Sequence, residues 1–238
     1  MQDGDAVILF NFRGDRAVEI CQAFTDPDFG GFKKNHNPEV FFAGMMQYDG
    51  DLQIPPNFLV EPPAIDNTVG EQLEAAGLRT FAISETQKYG HVTYFFNGNR
   101  GEQPTSETWT EIPSLNVPFN EAPTMSAHDI TQRAVIAIES GQFDHIRINL
   151  ANGDMVGHTG DLQATIDAVE CVDAEVGKLM HAVERSGGIL MVTADHGNAD
   201  LMFNLDKKTG GYTDTPCTSH SLNPVPIWFY STCETVHL

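Results

Sequence analysis

The stretch from residue 145 to residue 193 constrains the fold of this chain more than any other. It opens on an apolar run, 145–150 (HIRINL), crosses a polar loop, 151–160 (ANGDMVGHTG), and enters a long periodic segment. There Leu162, Ile166, Val169, Val172, Val176, Leu179 and Val183 recur every three or four residues, which makes one face of a helix over 161–186 apolar. Gly187 and Gly188 stop that helix, and 189–193 (ILMVT) reads as a short buried strand. A strand, a long helix and a second strand in that order form a crossover unit, and such units build parallel sheets. The expected fold class is therefore α/β with a mainly parallel sheet.

The remainder of the chain follows the same alternation. Residues 5–10 read as a strand, 14–24 as a helix and 40–48 as a second strand. The proline-rich stretch 54–66 (IPPNFLVEPPAID) reads as a linker or domain crossing, because each proline holds itself and its predecessor extended. Thr68 can cap a helix that Gly77 ends, and 80–84 (TFAIS) is a short strand. Residues 88–96 (KYGHVTYFF) fit strand or helix equally, while 98–118 is polar and proline-interrupted, hence loop. Ser126 is the expected N-cap of a helix through residue 140, and 225–230 (VPIWFY) is the last apolar strand.

Composition removes several classes of function. The formal charge is −20, from 33 acidic and 13 basic residues, so the chain is a poor partner for nucleic acid or an anionic membrane surface. Any anionic substrate must be drawn in by a few placed cations or by metal ions, against the global field. No apolar run reaches the ~18 residues of a membrane span. The acidic start, Met1 to Asp5, has no basic segment ahead of an apolar one, which argues against a secretory signal. Cys21, Cys171, Cys217 and Cys233 lack metal-type spacing and read as free thiols, so the expected compartment is the cytoplasm.

Chemistry concentrates beyond the carboxyl ends of the strands, where open α/β sheets bind ligands. Asp154 and His158 lie in the loop after 145–150, and Asp195-His196 follow 189–193 directly. If those two strands are neighbours, two carboxylates and two imidazoles converge on one rim, and His220, just before the last strand, can complete the cluster. Five mixed oxygen and nitrogen donors exceed a tetrahedral structural zinc site and suit divalent first-row metals better than Ca²⁺. A pair of ions is the natural reading. The bland alternative for either pair alone is a helix cap beside a surface histidine. Arg13 and Arg16, three residues apart, could grip one anion or could be two solvated arginines beside Asp15. Lys88 alone reads as a surface lysine, and Asp173 and Glu175 as a solvated helix face.

Five motifs in order, Phe10-Asn11-Phe12-Arg13-Gly14-Asp15-Arg16, Ser84-Glu85-Thr86-Gln87-Lys88-Tyr89, residues 152–160, residues 193–199 and residues 219–226, resemble the successive signatures of the cofactor-independent phosphoglycerate mutases. These belong to the alkaline phosphatase superfamily of two-metal enzymes. The resemblance implies an alkaline-phosphatase-like three-layer α/β fold, incomplete at both ends. It also implies interconversion of 3-phosphoglycerate and 2-phosphoglycerate through a serine of the full-length enzyme. Carried over, Asp154, His158 and His220 hold one metal, while Asp195 and His196 help hold a second. The ions expected are Mn²⁺ first, with Mg²⁺, Co²⁺ and Zn²⁺ as alternatives. Arg13 and Arg16 grip the substrate, and Lys88 neutralises the transferring phosphoryl group.

Two departures accompany the resemblance. The family's enzyme is about twice as long, and the strand with its first Asp ligand and the nucleophilic serine have no counterpart in this sequence. Gly14 also stands where the family has a proline. Residues 1–62 then correspond to the end of a transferase domain and 63–238 to the C-terminal part of a phosphatase domain. The full-length enzyme is expected to be monomeric and these residues alone inactive. The rival readings are another phosphomutase or phosphatase of the superfamily, and a non-catalytic metal-binding remnant.

Overall fold

The computed structural model describes residues 1–13, 17–27, 29–48, 54–60, 65–206 and 208–232. The chain divides into two compact units, residues 1–68 with 97–102, and residues 69–96 with 103–238. In the first unit, β1 (Ala6–Leu9) is followed by α1 (Ala17–Thr25) and β2 (Phe41–Gly44). The two strands pair in parallel, Ala6 opposite Phe41 through Leu9 opposite Gly44. Ala17 and Cys21 of α1 pack on Phe42 and Tyr48, and Phe24 stacks on Phe42 with ring centroids 4.8 Å apart. Part of the proline-rich stretch packs on the first unit. Gly44 N–H donates to the Asn57 carbonyl (3.0 Å) and Leu59 N–H to the Gly44 carbonyl (3.1 Å), so residues 57–59 lie alongside β2.

The second unit carries the longer alternation. In order it holds α2 (Val69–Ala75), β3 (Thr80–Glu85), a 3-10 turn (Thr86–Lys88), α3 (Tyr89–Val92) and β4 (Glu107–Ile112). Then come α4 (Ala127–Ser140), β5 (His145–Ile148), α5 (Asn152–Gly157) and α6 (Leu162–Ser186). The unit ends with β6 (Ile189–Thr193), β7 (Phe203–Leu205), β8 (Tyr212–Pro216) and β9 (Ile227–Ser231). Strands β4, β3 and β5 form one parallel sheet in that spatial order. The central strand β3 is buried along its whole length, as a doubly flanked strand of a covered sheet must be. Phe81 and Ile83 of β3 pack under Ile130, Ala134 and Ala137 of α4 and Leu179 of α6, which is the main core. Asp161 caps α6 by accepting the Ala164 N–H (3.1 Å), and Gly187 ends it at φ 67°, where its N–H reaches back into the last turn.

Several sequence expectations change here, each for a local reason. Strand β4 lies inside 98–118, which reads as loop because its strand-favouring residues are polar threonines between prolines. Pairing with β3 supplies what the pattern lacks. The ambiguous 88–96 segment begins as helix, and Ser126 stands at the N-cap position of α4 as expected, but its hydroxyl donates to the Pro113 carbonyl (3.1 Å) instead of capping the first turn. The first part of the supposed loop 151–160 is helix α5. Strands β5 and β6 are not hydrogen-bonded neighbours: β5 pairs with β3, and β6 pairs antiparallel with β9. Glu175 is buried rather than solvated, and its carboxylate accepts from the Lys178 ammonium at 2.7 Å.

A buried ion pair locks this unit internally. Arg147 of β5 pairs with Glu107 of β4, donates from Nε to the Val92 carbonyl (3.1 Å) and lies over the Phe96 ring at 3.8 Å. Burial pushes the Arg147 guanidinium down to about 10. Through Val92 and Phe96 it fastens the segment that follows Lys88 to the sheet. Removing one partner of such a pair leaves an uncompensated buried charge, so Glu107→Ala should lower unfolding free energy by about 3–5 kcal/mol. Urea denaturation followed by tryptophan fluorescence checks this, with Trp109 on β4 as the local reporter.

Candidate metal centre

Helix α5 places the first two donors. Its entry is fixed by Ser84 Oγ donating to the Asn149 carbonyl (3.1 Å) and Asn152 Nδ2 donating to the Pro123 carbonyl (2.8 Å). Val156 is fully buried against Ala164 and Ala168 of α6, which leaves Asp154 and His158, one turn apart, on a common side. Asp154 Oδ1 is 3.1 Å from His158 Nε2. His220 comes from the segment between β8 and β9, and its Nε2 is 3.1 Å from Asp154 Oδ1 and 3.1 Å from His158 Nε2. One oxygen and two ring nitrogens thus form a triangle of equal sides.

That triangle fits a divalent ion. At bond lengths of about 2.0–2.2 Å, two ligands at right angles stand about 3 Å apart. The donors are also turned correctly. A carbonyl can only accept, so the 2.7 Å contact between His158 Nδ1 and the Thr218 carbonyl places the proton on Nδ1 and leaves the Nε2 lone pair for the triangle. His196 adds a fourth donor at the edge. Its ring stacks on His220 with centroids 3.7 Å apart, its Nδ1 lies 4.0 Å from Asp154 Oδ1, and that buried nitrogen has no hydrogen-bond partner. Asp154, His196 and His220 also form a group able to hold an ion together. Two imidazoles or more with a carboxylate are a donor set for Mn²⁺, Co²⁺ or Zn²⁺.

The remaining expected residues fall in three places. Asp195 is exposed, and its carboxylate reaches His196 Nε2 at 3.5 Å, so it joins the cluster at the rim through His196. Lys88 is not on the surface. It is buried, and its ammonium lies 2.5 Å from Asp154 Oδ2, the oxygen turned away from the histidines. Arg13 is exposed in the other compact unit, and Arg16 lies outside the described residues.

Asn198 is the residue that spacing does not reveal. Its Nδ2 donates to Asp154 Oδ1 (2.8 Å) and to the Asp154 carbonyl (3.1 Å), which ties the loop after β6 to α5. The only signal in the sequence is its place two residues after His196. Partial burial alone raises the Asp154 carboxyl. The hydrogen bonds from Lys88 and Asn198 and the Lys88 charge outweigh it and bring the carboxyl down to about 2. His220 titrates below its ordinary value, through burial and then the adjacent His196.

Residues 17–236 match the Metalloenzyme superfamily. The chain belongs to that superfamily. Among relatives of this metalloenzyme chain, a 2,3-bisphosphoglycerate-independent phosphoglycerate mutase of Trypanosoma brucei brucei is 52% identical over 235 residues, covering 96% of this chain and 43% of the relative. The protein of the same name from Zea mays is 48% identical over 233 residues, covering 94% of this chain and 42% of the relative. A crystal structure of Leishmania mexicana phosphoglycerate mutase at low cobalt concentration superposes with TM-score 0.90 at 51% identity, over 97% of this chain and 43% of that one. The chain therefore spans less than half the length of the relatives it matches. The mixed α/β architecture with parallel sheets agrees with that neighbour.

Two expected outcomes follow for this metalloenzyme centre. A methyl group on Gly157 would fall 2.4 Å from Asn198 Oδ1, so Gly157→Ala should push the Asn198 amide off Asp154. Cobalt titration should show affinity falling by about 10-fold or more, although no ligand is changed. The Asp154 carboxyl lies below its unfolded value, so its contribution is complete above the usual carboxylate range and is lost as pH falls through about 2. In chelator, Asp154→Asn should cost about 2 kcal/mol of unfolding free energy near neutral pH, and the difference should vanish towards pH 2.

Proposed function

We propose that this centre belongs to an enzyme that interconverts 2-phosphoglycerate and 3-phosphoglycerate by two-metal phosphoryl transfer. The observation that supports it best is the juxtaposition at Asp154. One carboxylate oxygen faces two imidazole nitrogens at 3.1 Å and the other faces a buried ammonium at 2.5 Å. A chain of net charge −20 needs placed cations or metal ions if it is to receive an anion, and this cluster offers Lys88 together with donors for a divalent ion.

Asp154, His158 and His220 would hold one ion, and His196 with Asp195 would contribute to the second. Mn²⁺ is our first choice, with Mg²⁺, Co²⁺ and Zn²⁺ as alternatives. A divalent ion bound there supplies Lewis-acid charge for phosphoryl oxygens. Lys88 is held ready by the carboxylate it pairs with, and its ammonium neutralises charge on the moving group beside the metals. Arg13 and Arg16 are assigned, on the family resemblance, to the anionic groups of the substrate. The resemblance also assigns the nucleophilic serine to a segment outside these 238 residues. It makes residues 1–62 part of a transferase domain and 63–238 part of a phosphatase domain, in a full-length protein that acts as a monomer. The described cysteines Cys21, Cys171 and Cys217 are free thiols, which supports the cytoplasm as compartment.

Metal analysis of the purified chain by mass spectrometry tests the assignment. The chain loaded with Mn²⁺ or Co²⁺ should retain bound ion, and His220→Ala should retain far less. Equal retention by the two proteins would overturn the ligand set. These residues alone should hold metal without interconverting the two phosphoglycerates, as read in a coupled assay. Measurable conversion would overturn the placement of the nucleophile elsewhere.

A further inference from the structure

His220 poses a problem of support that the other donors do not share. Asp154 and His158 ride on α5, which is anchored by fully buried Val156. His196 sits in the turn leaving β6, next to buried Gly197 and Asn198. His220 lies in a segment with neither helix nor strand, and its side chain is 40% exposed. Some other contact must hold its ring within a few tenths of an ångström of a bonding position, as a metal site requires.

The hydrogen bonds around it converge on one side chain. Asp200 Oδ2 accepts from Ser221 Oγ at 2.8 Å and from Asn223 Nδ2 at 2.5 Å, so a single carboxylate oxygen grips the chain at both residues flanking Leu222. Asn223 N–H donates to Ser221 Oγ (3.3 Å) and closes the small turn, and Ser221 N–H donates to the Gly197 carbonyl (2.8 Å). The approach of the two loops is so close that a methyl group on Gly197 would fall 2.2 Å from Ser221 Oγ and 2.5 Å from Asp200 Oδ1.

We infer that Asp200 is a positioning residue of the metal centre, a carboxylate clamp that fixes the 219–223 segment so that His220 Nε2 meets Asp154 and His158. The inference rests on the metal-site reading above. It gives residues 196–200 a common purpose. The His196 ring stacks on His220, Asn198 ties Asp154, and Asp200 ties Ser221 and Asn223. His196 and Asp200 both reach the segment that bears His220, and Asn198 between them reaches the helix that bears Asp154. Asp200 touches no donor atom itself, and it is exposed, so its loss should loosen His220 without opening a core.

Outer partners that orient metal ligands typically change affinity 10–100-fold when removed. Titration of the metal-free 238-residue chain with Co²⁺, followed by visible absorption, reads this directly. Asp200→Ala should weaken Co²⁺ binding by about 10–100-fold and alter the absorption bands. Asp200→Asn, which keeps an acceptor oxygen, should recover most of the loss. The metal-free melting temperature should stay at that of the unaltered chain, a readout that a merely structural role would lower. Asn223→Ala removes one arm of the clamp from the other side and carries the test if Asp200→Ala does not fold. Normal Co²⁺ affinity in Asp200→Ala or Asn223→Ala, with binding lost in His220→Ala, overturns the clamp and leaves the metal site standing. No Co²⁺ binding by the unaltered chain overturns the metal reading itself, and the clamp with it.

Discussion

The Asp154 carboxylate is the hub on which the arrangement of the centre depends. A half-buried carboxylate is costly unless its lone pairs are occupied, and here each oxygen has a distinct set of partners. Oδ1 takes Asn198 and faces His158 and His220, and Oδ2 takes Lys88. Those partners come from the turn after β3, from α5 and from two loops beyond β6. Folding brings four separate stretches to one group, and the charge of Lys88 keeps that group ionised.

Two buried cation–carboxylate pairs in the same unit show how similar chemistry serves different ends. Arg147 and Glu107 sit within the sheet, and the arginine also contacts the Val92 carbonyl and the Phe96 ring. That pair positions the segment after Lys88. Lys88 and Asp154 instead stand where donor atoms for a metal gather, and a lysine ammonium on a flexible stem can leave one oxygen for another anion. A rigid guanidinium fork suits the structural task, and a mobile point charge suits the role proposed for Lys88.

The loops that carry the donors are short, and side chains rather than strands hold them together. Among the described residues, two backbone hydrogen bonds link the stretch after β6 to the segment bearing His220, from Ser221 N–H to the Gly197 carbonyl (2.8 Å) and from Cys217 N–H to the Met202 carbonyl (2.9 Å). The rest is done by Asn198, Asp200 and the stacked imidazoles. Strands β6 and β9 leave Ile189, Met191, Ile227 and Trp228 exposed, so the apolar character of these strands is not matched by burial within the described residues.

The sequence by itself determined the alternation of strands and helices, the long helix with its Gly187 stop, and which residues are candidate donors. Periodicity and glycine stops are local properties, and aspartate and histidine placed after strands are visible as residue types. Tertiary structure decided what depends on partners distant in the chain. Polar β4 becomes a strand only beside β3, and Lys88 is buried only because Asp154 meets it across 66 residues of chain. Strands β5 and β6 need not be neighbours for their loops to converge. Asn198 and Asp200 look like ordinary turn residues until the loops they join are brought within hydrogen-bond distance. Spacing encodes which donors exist, but the few tenths of an ångström that make them a site are set by contacts between segments, and these leave no periodic trace.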